Sequence, residues 1–222
     1  MTVRVLLVDD QEMIRAGLRM VLESQSGVEI VAEADDGDTA LELVATVETD
    51  VVLMDVRMPR MNGVEATGAI TGLDDPPKVL ILTTFDLDEY AYDGLRAGAS
   101  GFLLKDTPVE ELATAIRHVH AGDAVVAPST TRRLLSHFAR SRPGQTSAAP
   151  TTRPEELTPR EHDVLAHIAR GLSNSEIADQ LGLAEGTVKV HVGRILTKLD
   201  LRDRVQAVVL AYETGLIRAG GA

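Results

Sequence analysis

Five residues carry the chemistry this chain could perform. Asp9 and Asp10 close the apolar run Val3 to Val8, Asp55 closes Val51 to Met54, Thr83 closes Val79 to Leu82, and Lys105 follows Gly101 to Leu104. Adjacent carboxylates with a third across a crevice make an oxygen-rich, anionic pocket of the kind magnesium accepts, the ion keeping some waters and bridging to a phosphate. There Asp55 has the character of a nucleophile, since a carboxylate attacking a phosphoryl donor forms an aspartyl phosphate. Magnesium and Lys105 would neutralise the equatorial oxygens of an in-line transition state, and Thr83 would donate its hydroxyl to the same oxygens.

Each residue taken singly has a plainer explanation. An Asp after a strand is most often a turn former or helix cap; Lys105 beside Asp106 reads as a solvated loop charge, and Thr83 as a strand-end Thr. The Asp9-Asp10 pair is harder to dismiss, because like charges after a buried strand are costly without a cation or lysine. What unites the five is the strands that position them. All four runs are short and largely apolar, and the first three hold β-branched residues, as parallel strands buried on both faces do. Helical periodicity fills the intervals, as in Met13, Gly17, Met20 and Val21, or Val109, Leu112, Ala113, Ile116 and Val119. An alternating βα chain with right-handed crossovers puts the ligand site beyond the carboxyl ends of the strands, where the five residues fall.

The segments "LLVDD", "DVVLMDVRMPRMNG", "VLILTTFD" and "GFLLKD" resemble the receiver domain of bacterial two-component response regulators over residues 1 to about 122. The resemblance implies a flavodoxin-like (βα)5 α/β fold with a parallel sheet. It also implies magnesium held by Asp10, by Asp9 through water, by Asp55 and by the backbone carbonyl of Arg57, with the phosphoryl group on Asp55. Thr83 and Phe102 become a switch pair, the hydroxyl moving to the phosphoryl group and the ring following inward. An ordinary core aromatic is the other reading of Phe102. Arg57 and Phe85 are expected to flank the path of attacking water, giving self-hydrolysis over hours rather than minutes.

The chain has 222 residues and no cysteine, so disulfide and thiol chemistry are excluded. Neither a signal peptide nor a membrane-length apolar run is read in it, and the cytoplasm is the expected location, with no membrane partner. Three Phe, three Tyr and no Trp make base stacking an unlikely binding mode. The net charge of −12 is uneven: residues 1–125 hold 9 basic against 24 acidic residues, net −15, and residues 126–222 hold 13 against 10, net +3. The acidic half should not touch nucleic acid.

Three parts are expected: a domain over 1–122, a connection over 123–153 and a second domain over 154–222. Within the connection Thr130 to Arg140 reads as an amphipathic helix, and "SRPGQTSAAPTTRP" as a linker spanning roughly 20 Å as a flexible coil. Beyond it, Thr158-Pro159-Arg160-Glu161 and Ser173-Asn174-Ser175-Glu176 are capping boxes that start two helices. A Gly182-Leu183 turn leads to a third helix over about 184–199, and a fourth spans about 203–212. Short helices joined by a glycine-bearing turn form the helix-turn-helix pattern. On the third helix Val188, Val192, Ile195 and Leu199 make an apolar stripe, while Lys189, Val190, Gly193, Arg194, Thr197 and Lys198 lie on the open side. That side suits a major groove, or is simply solvated; His191, at the stripe's edge, is either packed or on a phosphate.

The stretch "LTPREHDVLAHIARGLSNSEIADQLGLAEGTVKVHVGRILTKLDLRDRVQAV" resembles the LuxR-type helix-turn-helix, a small all-α four-helix domain, and with the receiver places the chain in the NarL/FixJ class of response regulators. That resemblance implies DNA contacts from Thr187, Lys189, Val190 and Arg194, a phosphate contact from Lys198, and a dimer surface on the fourth helix. Gly193 stands where relatives carry a polar or basic side chain, and Ala184 where a capping Ser is usual. With Gly186 in its first turn, the third helix is expected to fray at its start.

The expected function is a phosphorylation-dependent transcription regulator. Asp55 takes a phosphoryl group from a sensor histidine kinase with magnesium, and a homodimer then binds double-stranded DNA. No enzyme activity is expected beyond its own phosphorylation and dephosphorylation. A DNA-binding factor that ignores phosphorylation is the alternative; a magnesium phosphatase is disfavoured, because Asp9-Asp10-Gln11 lacks the Asp-x-Asp pattern of such enzymes.

Overall fold

The computed structural model describes residues 2–83, 89–122, 157–214 and 216. The expected helix over 130–140, the linker and Phe85 lie outside the described residues. Two compact units divide the chain, 1–125 and 126–222.

In the first unit strands β1 (Val3–Val8), β2 (Val28–Ala34), β3 (Val51–Asp55), β4 (Lys78–Thr83) and β5 (Gly101–Leu104) alternate with helices α1 (Glu12–Glu23), α2 (Gly37–Thr46), α3 (Gly63–Thr71), α4 (Glu89–Arg96) and α5 (Val109–His120). The sheet is parallel throughout and ordered β2-β1-β3-β4-β5. Because strand side chains alternate faces, two cores form. Val5, Leu7, Leu53, Leu80 and Leu82 pack under Leu112, Ile116 and Val119 of α5. Leu6, Val8, Val52 and Met54 pack under Ala40 of α2 and Ala66 and Ile70 of α3. This is why the central strands read as nearly continuous apolar runs, interrupted only by the half-buried Arg4 and Lys78 near their starts.

Two local features depart from the sequence pattern. Strand β2 is absent from the four apolar runs; it carries Glu29 and Glu33, as an edge strand with one wet face can. Helix α1 has two apolar faces: Leu18 and Leu22 pack against the sheet, whereas Met13 and Met20 are 86% and 70% exposed. The Met13, Gly17, Met20 spacing therefore marks the outer face.

The second unit holds helices α6 (Pro159–Ala169), α7 (Asn174–Leu181), α8 (Glu185–Lys198) and α9 (Arg204–Glu213). Both capping boxes form: the side chains of Thr158 and Ser173 accept from Glu161 N and Glu176 N, and each Glu accepts in return from the capping residue's backbone N–H. Gly182 ends α7 with φ of 62°, the left-handed conformation that admits glycine without a Cβ penalty. Val164, Leu165, Ile168, Ile177, Val188, Ile195 and Ala207 form a common core. Val205 and residues 207–211 of α9 are buried, so the helix expected to offer a dimer surface has most of its apolar side chains covered within the chain. No helix among the described residues is long and apolar enough to cross a membrane.

Candidate functional site

All five strands run the same way, so β1, β3, β4 and β5 deliver Asp9, Asp55, Thr83 and Lys105 to one edge, at the switch point between β1 and β3 where such sheets bind ligands. One oxygen from each of Asp9, Asp10 and Asp55 lies within 4.8 Å of the others. Asp9 is 1% exposed, Asp55 5% and Thr83 6%, while Asp10 is open to solvent. Lys105 Nζ stands 2.5 Å from Asp9 Oδ2 and 3.1 Å from Asp55 Oδ2. The Asp9 contact is an ion pair without hydrogen-bond alignment, so among the described residues Asp9 Oδ2 is a buried carboxylate oxygen lacking a hydrogen bond.

Three carboxylates facing one ammonium leave negative charge in excess, and buried charge is costly unless it is paired. Burial pushes the Asp55 carboxyl above its ordinary value; Lys105 opposes the rise and Asp9 adds to it. Three carboxylates offering oxygens within 4.8 Å of one another, with one ammonium among them, make the donor set a hard divalent cation satisfies, so these residues fit such an ion.

The loop after β3 is closely held. Val56 N donates to Asp55 Oδ1 at 2.8 Å, and Gly63 N to Val56 O at 3.0 Å. A Cβ on Gly63 would lie 2.0 Å from the Asp55 carbonyl oxygen, so α3 can start against β3 only with glycine there. Asn62 caps α3 in a box with Glu65. Arg60 pairs with Asp36 at the start of α2, and Gly37 N donates to Met61 O at 3.3 Å. On the other flank Arg15 Nη1 donates to the Asp9 carbonyl at 2.6 Å and its Nε faces Glu33 at 3.6 Å.

Phe102 is buried, 3% exposed, on β5 opposite Ile81. Thr83 O accepts from Lys105 N at 2.8 Å, so the hydroxyl residue and the lysine share one ladder step.

In the second unit α8 turns Val188, Ile195 and, just past its end, Leu199 inward, while Thr187, Lys189, Val190, Gly193, Arg194 and Thr197 are exposed. Val190, 52% exposed, is an apolar side chain on that otherwise polar face. Lys189 Nζ lies 3.6 Å from Glu185 one turn earlier. Lys198 is bonded instead to Glu161 of α6 at 2.7 Å. His191 is half-buried, its Nδ1 enclosed without a hydrogen bond among the described residues.

Residues 5–117 match the model of the response regulator receiver domain, and residues 155–211 that of bacterial regulatory proteins of the luxR family. The chain belongs to the response regulators. It is a two-component response regulator with a receiver and a LuxR-type DNA-binding domain, a transcription regulator. Among its relatives, the uncharacterized transcriptional regulatory protein YxjL of Bacillus subtilis is 44% identical over 216 residues, covering 97% of this chain and 98% of that one. The transcriptional regulatory protein LiaR of the same organism is 40% identical over 215 residues, covering 97% and 99%. Among solved structures, the response regulator ChrA of a heme-sensing two-component system is 35% identical with a TM-score of 0.52, covering 97% of this chain and 99% of that one. An RcsB–DNA complex, at 20% identity and TM-score 0.56 over 96% and 99%, shares the fold.

Four residues of this response regulator's sites escaped the motif reading: Arg15, Arg60, Gly63 and Glu161. Gly63 had a visible signal in the Asn-Gly that closes "RMPRMNG". Arg15 and Arg60 look in the sequence like any surface arginine, and Glu161 reads there only as half of a capping box.

Proposed function

We propose that Asp55 is the phosphoryl acceptor of this response regulator, that a sensor histidine kinase supplies the phosphoryl group, and that phosphorylation promotes dimerisation and sequence-specific DNA binding. The observation carrying this reading is the buried Asp55 carboxylate beside Lys105, with Asp9 and Asp10 oxygens inside the same 4.8 Å cluster. A carboxylate oxygen of Asp55 forms the new bond to phosphorus while the bond from phosphorus to the donor histidine nitrogen breaks, that nitrogen keeping the electron pair. Lys105 stands where its ammonium can meet the equatorial oxygens, and Thr83 at the end of the adjacent strand offers a hydroxyl donor. Asp9, Asp10, Asp55 and the Arg57 carbonyl would hold magnesium, which when bound supplies positive charge to the transferring phosphoryl oxygens. Beyond its own phosphorylation and dephosphorylation the protein is proposed to catalyse nothing.

Thr83 and Phe102 are proposed as the switch pair; they lie on neighbouring strands, Thr83 at the phosphoacceptor edge and Phe102 two residues short of it, opposite Ile81. For dimerisation, Met13 and Met20 of α1 offer exposed apolar surface on the receiver. For DNA, Thr187, Lys189, Val190 and Arg194 form the proposed contact set, cations reaching phosphates or guanine edges and the Val190 methyls meeting thymine.

Intact mass after incubation with magnesium and a small acyl-phosphate donor tests the acceptor. One phosphoryl group on wild type and none on Asp55→Ala is expected. An adduct that persists on Asp55→Ala, or none on a wild type that binds magnesium, would remove Asp55 from the role and leave a factor that acts without this phosphorylation.

A further inference from the structure

Lys198, the last residue of α8, was expected on a DNA phosphate. Its ammonium instead lies 2.7 Å from Oε2 of Glu161, whose side chain is 3% exposed, against 35% for the lysine. The same oxygen accepts from Thr158 N at 2.8 Å and Thr158 Oγ1 at 2.9 Å. Lys198 above all, then the Thr158 backbone, holds the Glu161 carboxyl down at about 2. A lysine that left this carboxylate for a phosphate would strand a buried charge, a larger loss than one solvent-exposed phosphate contact returns.

The neighbouring residue repeats the device. Arg160 Nη2 donates to Leu181 O at 2.7 Å, at the end of α7. Two consecutive residues in the first turn of α6 thus hold the carboxyl ends of both helices of the helix-turn-helix. Among the described residues the other end of α8 has no side-chain cap at Ala184, and Gly186 stands in open space. Thr187, Lys189 and Val190 lie near that end, where Val188 packs into the core, so the Lys198 anchor at the far end is the second hold on the angle at which they would meet a groove.

We infer that Lys198 is a positioning residue, setting the angle of α8 through Glu161, and not a phosphate contact. The inference rests on the DNA-binding unit alone, so a failure of phosphoryl acceptance at Asp55 would leave it standing.

The test uses the full chain, a duplex selected from a randomised pool with wild type, and a scrambled duplex of equal composition. Binding is read at a temperature where circular dichroism shows wild type, Lys198→Met, Lys198→Arg and Glu161→Gln to be folded. Lys198→Met and Glu161→Gln should each lower the ratio of selected to scrambled affinity about tenfold, with the salt dependence unchanged. Lys198→Arg should preserve the ratio, since guanidinium also pairs with a carboxylate. A phosphate contact predicts the opposite sign for Glu161→Gln: binding would tighten as the lysine is released. That result, or a Lys198→Met that weakens both duplexes equally and lowers the salt slope by about one, overturns the inference, as does an unchanged ratio in both variants.

Discussion

Asp55 and Glu161 are both carboxylates withdrawn from water, 5% and 2% exposed, and their surroundings push them in opposite directions. In the receiver, burial raises the Asp55 carboxyl, Asp9 adds to the rise, and the one ammonium that opposes it, Lys105, is shared with Asp9. In the helical unit, one Glu161 oxygen collects two bonds from Thr158 and one from Lys198, and the carboxyl is held at about 2. A buried carboxylate whose charge is undercompensated suits a ligand that brings positive charge; one whose oxygen collects three donors is a strut. Burial alone does not separate the two, but the direction of the pKa shift and its cause do.

The largest effect should come from Gly63→Ala. The built Cβ lies 2.0 Å from the Asp55 carbonyl, so chemical denaturation should show the receiver destabilised by about 3 kcal/mol, with the proposed phosphoryl acceptance lost in step. An unchanged midpoint would mean that α3 can shift away from β3 without cost.

Next comes the strut. Lys198→Met should destabilise the second unit by about 2 kcal/mol, less than for a fully enclosed pair because the lysine is partly wet. The Glu161 carboxyl is lowered from 4.5 to about 2, so its stabilisation is complete above pH 4.5 and disappears as pH falls from there toward 2. Melting curves taken from neutral pH downward should show an acid-induced loss in wild type that is flattened in Lys198→Met. Equal losses in both would show that the pair contributes nothing through linkage.

Asp55→Asn should move stability the other way, raising it by about 1 kcal/mol at neutral pH by removing an undercompensated buried charge. Because the Asp55 carboxyl is raised, its ionisation costs stability above its folded value and nothing below its unfolded one, so the gap to wild type should narrow on acidification. If wild type is as stable as Asp55→Asn at neutral pH, Lys105 already compensates the charge in full.

The smallest effect probes the uncapped end of α8. Ala184→Ser should add about 1 kcal/mol through a cap, and Gly186→Ala up to about 1 kcal/mol through helix propensity. Amide exchange over 185–189, faster than over 195–199 in wild type, should slow in both variants. Equal protection of the two segments in wild type would show that packing at Val188 already secures the start.

How legible each part was in the sequence follows from whether its cause is local. The starts of α6 and α7 could be read at Thr158 and Ser173 because a capping box is a four-residue device. β1, β3, β4 and β5 could be read because parallel strands covered on both faces are apolar throughout. β2 could not: at the sheet edge its Glu29 and Glu33 interrupt the run. The inner face of α1 was obscured because Met13 and Met20 mimic a core stripe, and only packing decides which of two apolar faces meets the sheet.

The sequence alone determined that Asp9, Asp10, Asp55, Thr83 and Lys105 would share one edge. Parallel strands all present their carboxyl ends to the same side, so residues that close such strands must meet. Only the tertiary structure decided how the charges there are shared, that one lysine stands between Asp9 and Asp55, and that Lys198 faces a glutamate 37 residues away. Those outcomes depend on distances between elements that no local pattern encodes, and at a few ångströms in a poorly hydrated interior such distances set the sign of the electrostatic energy.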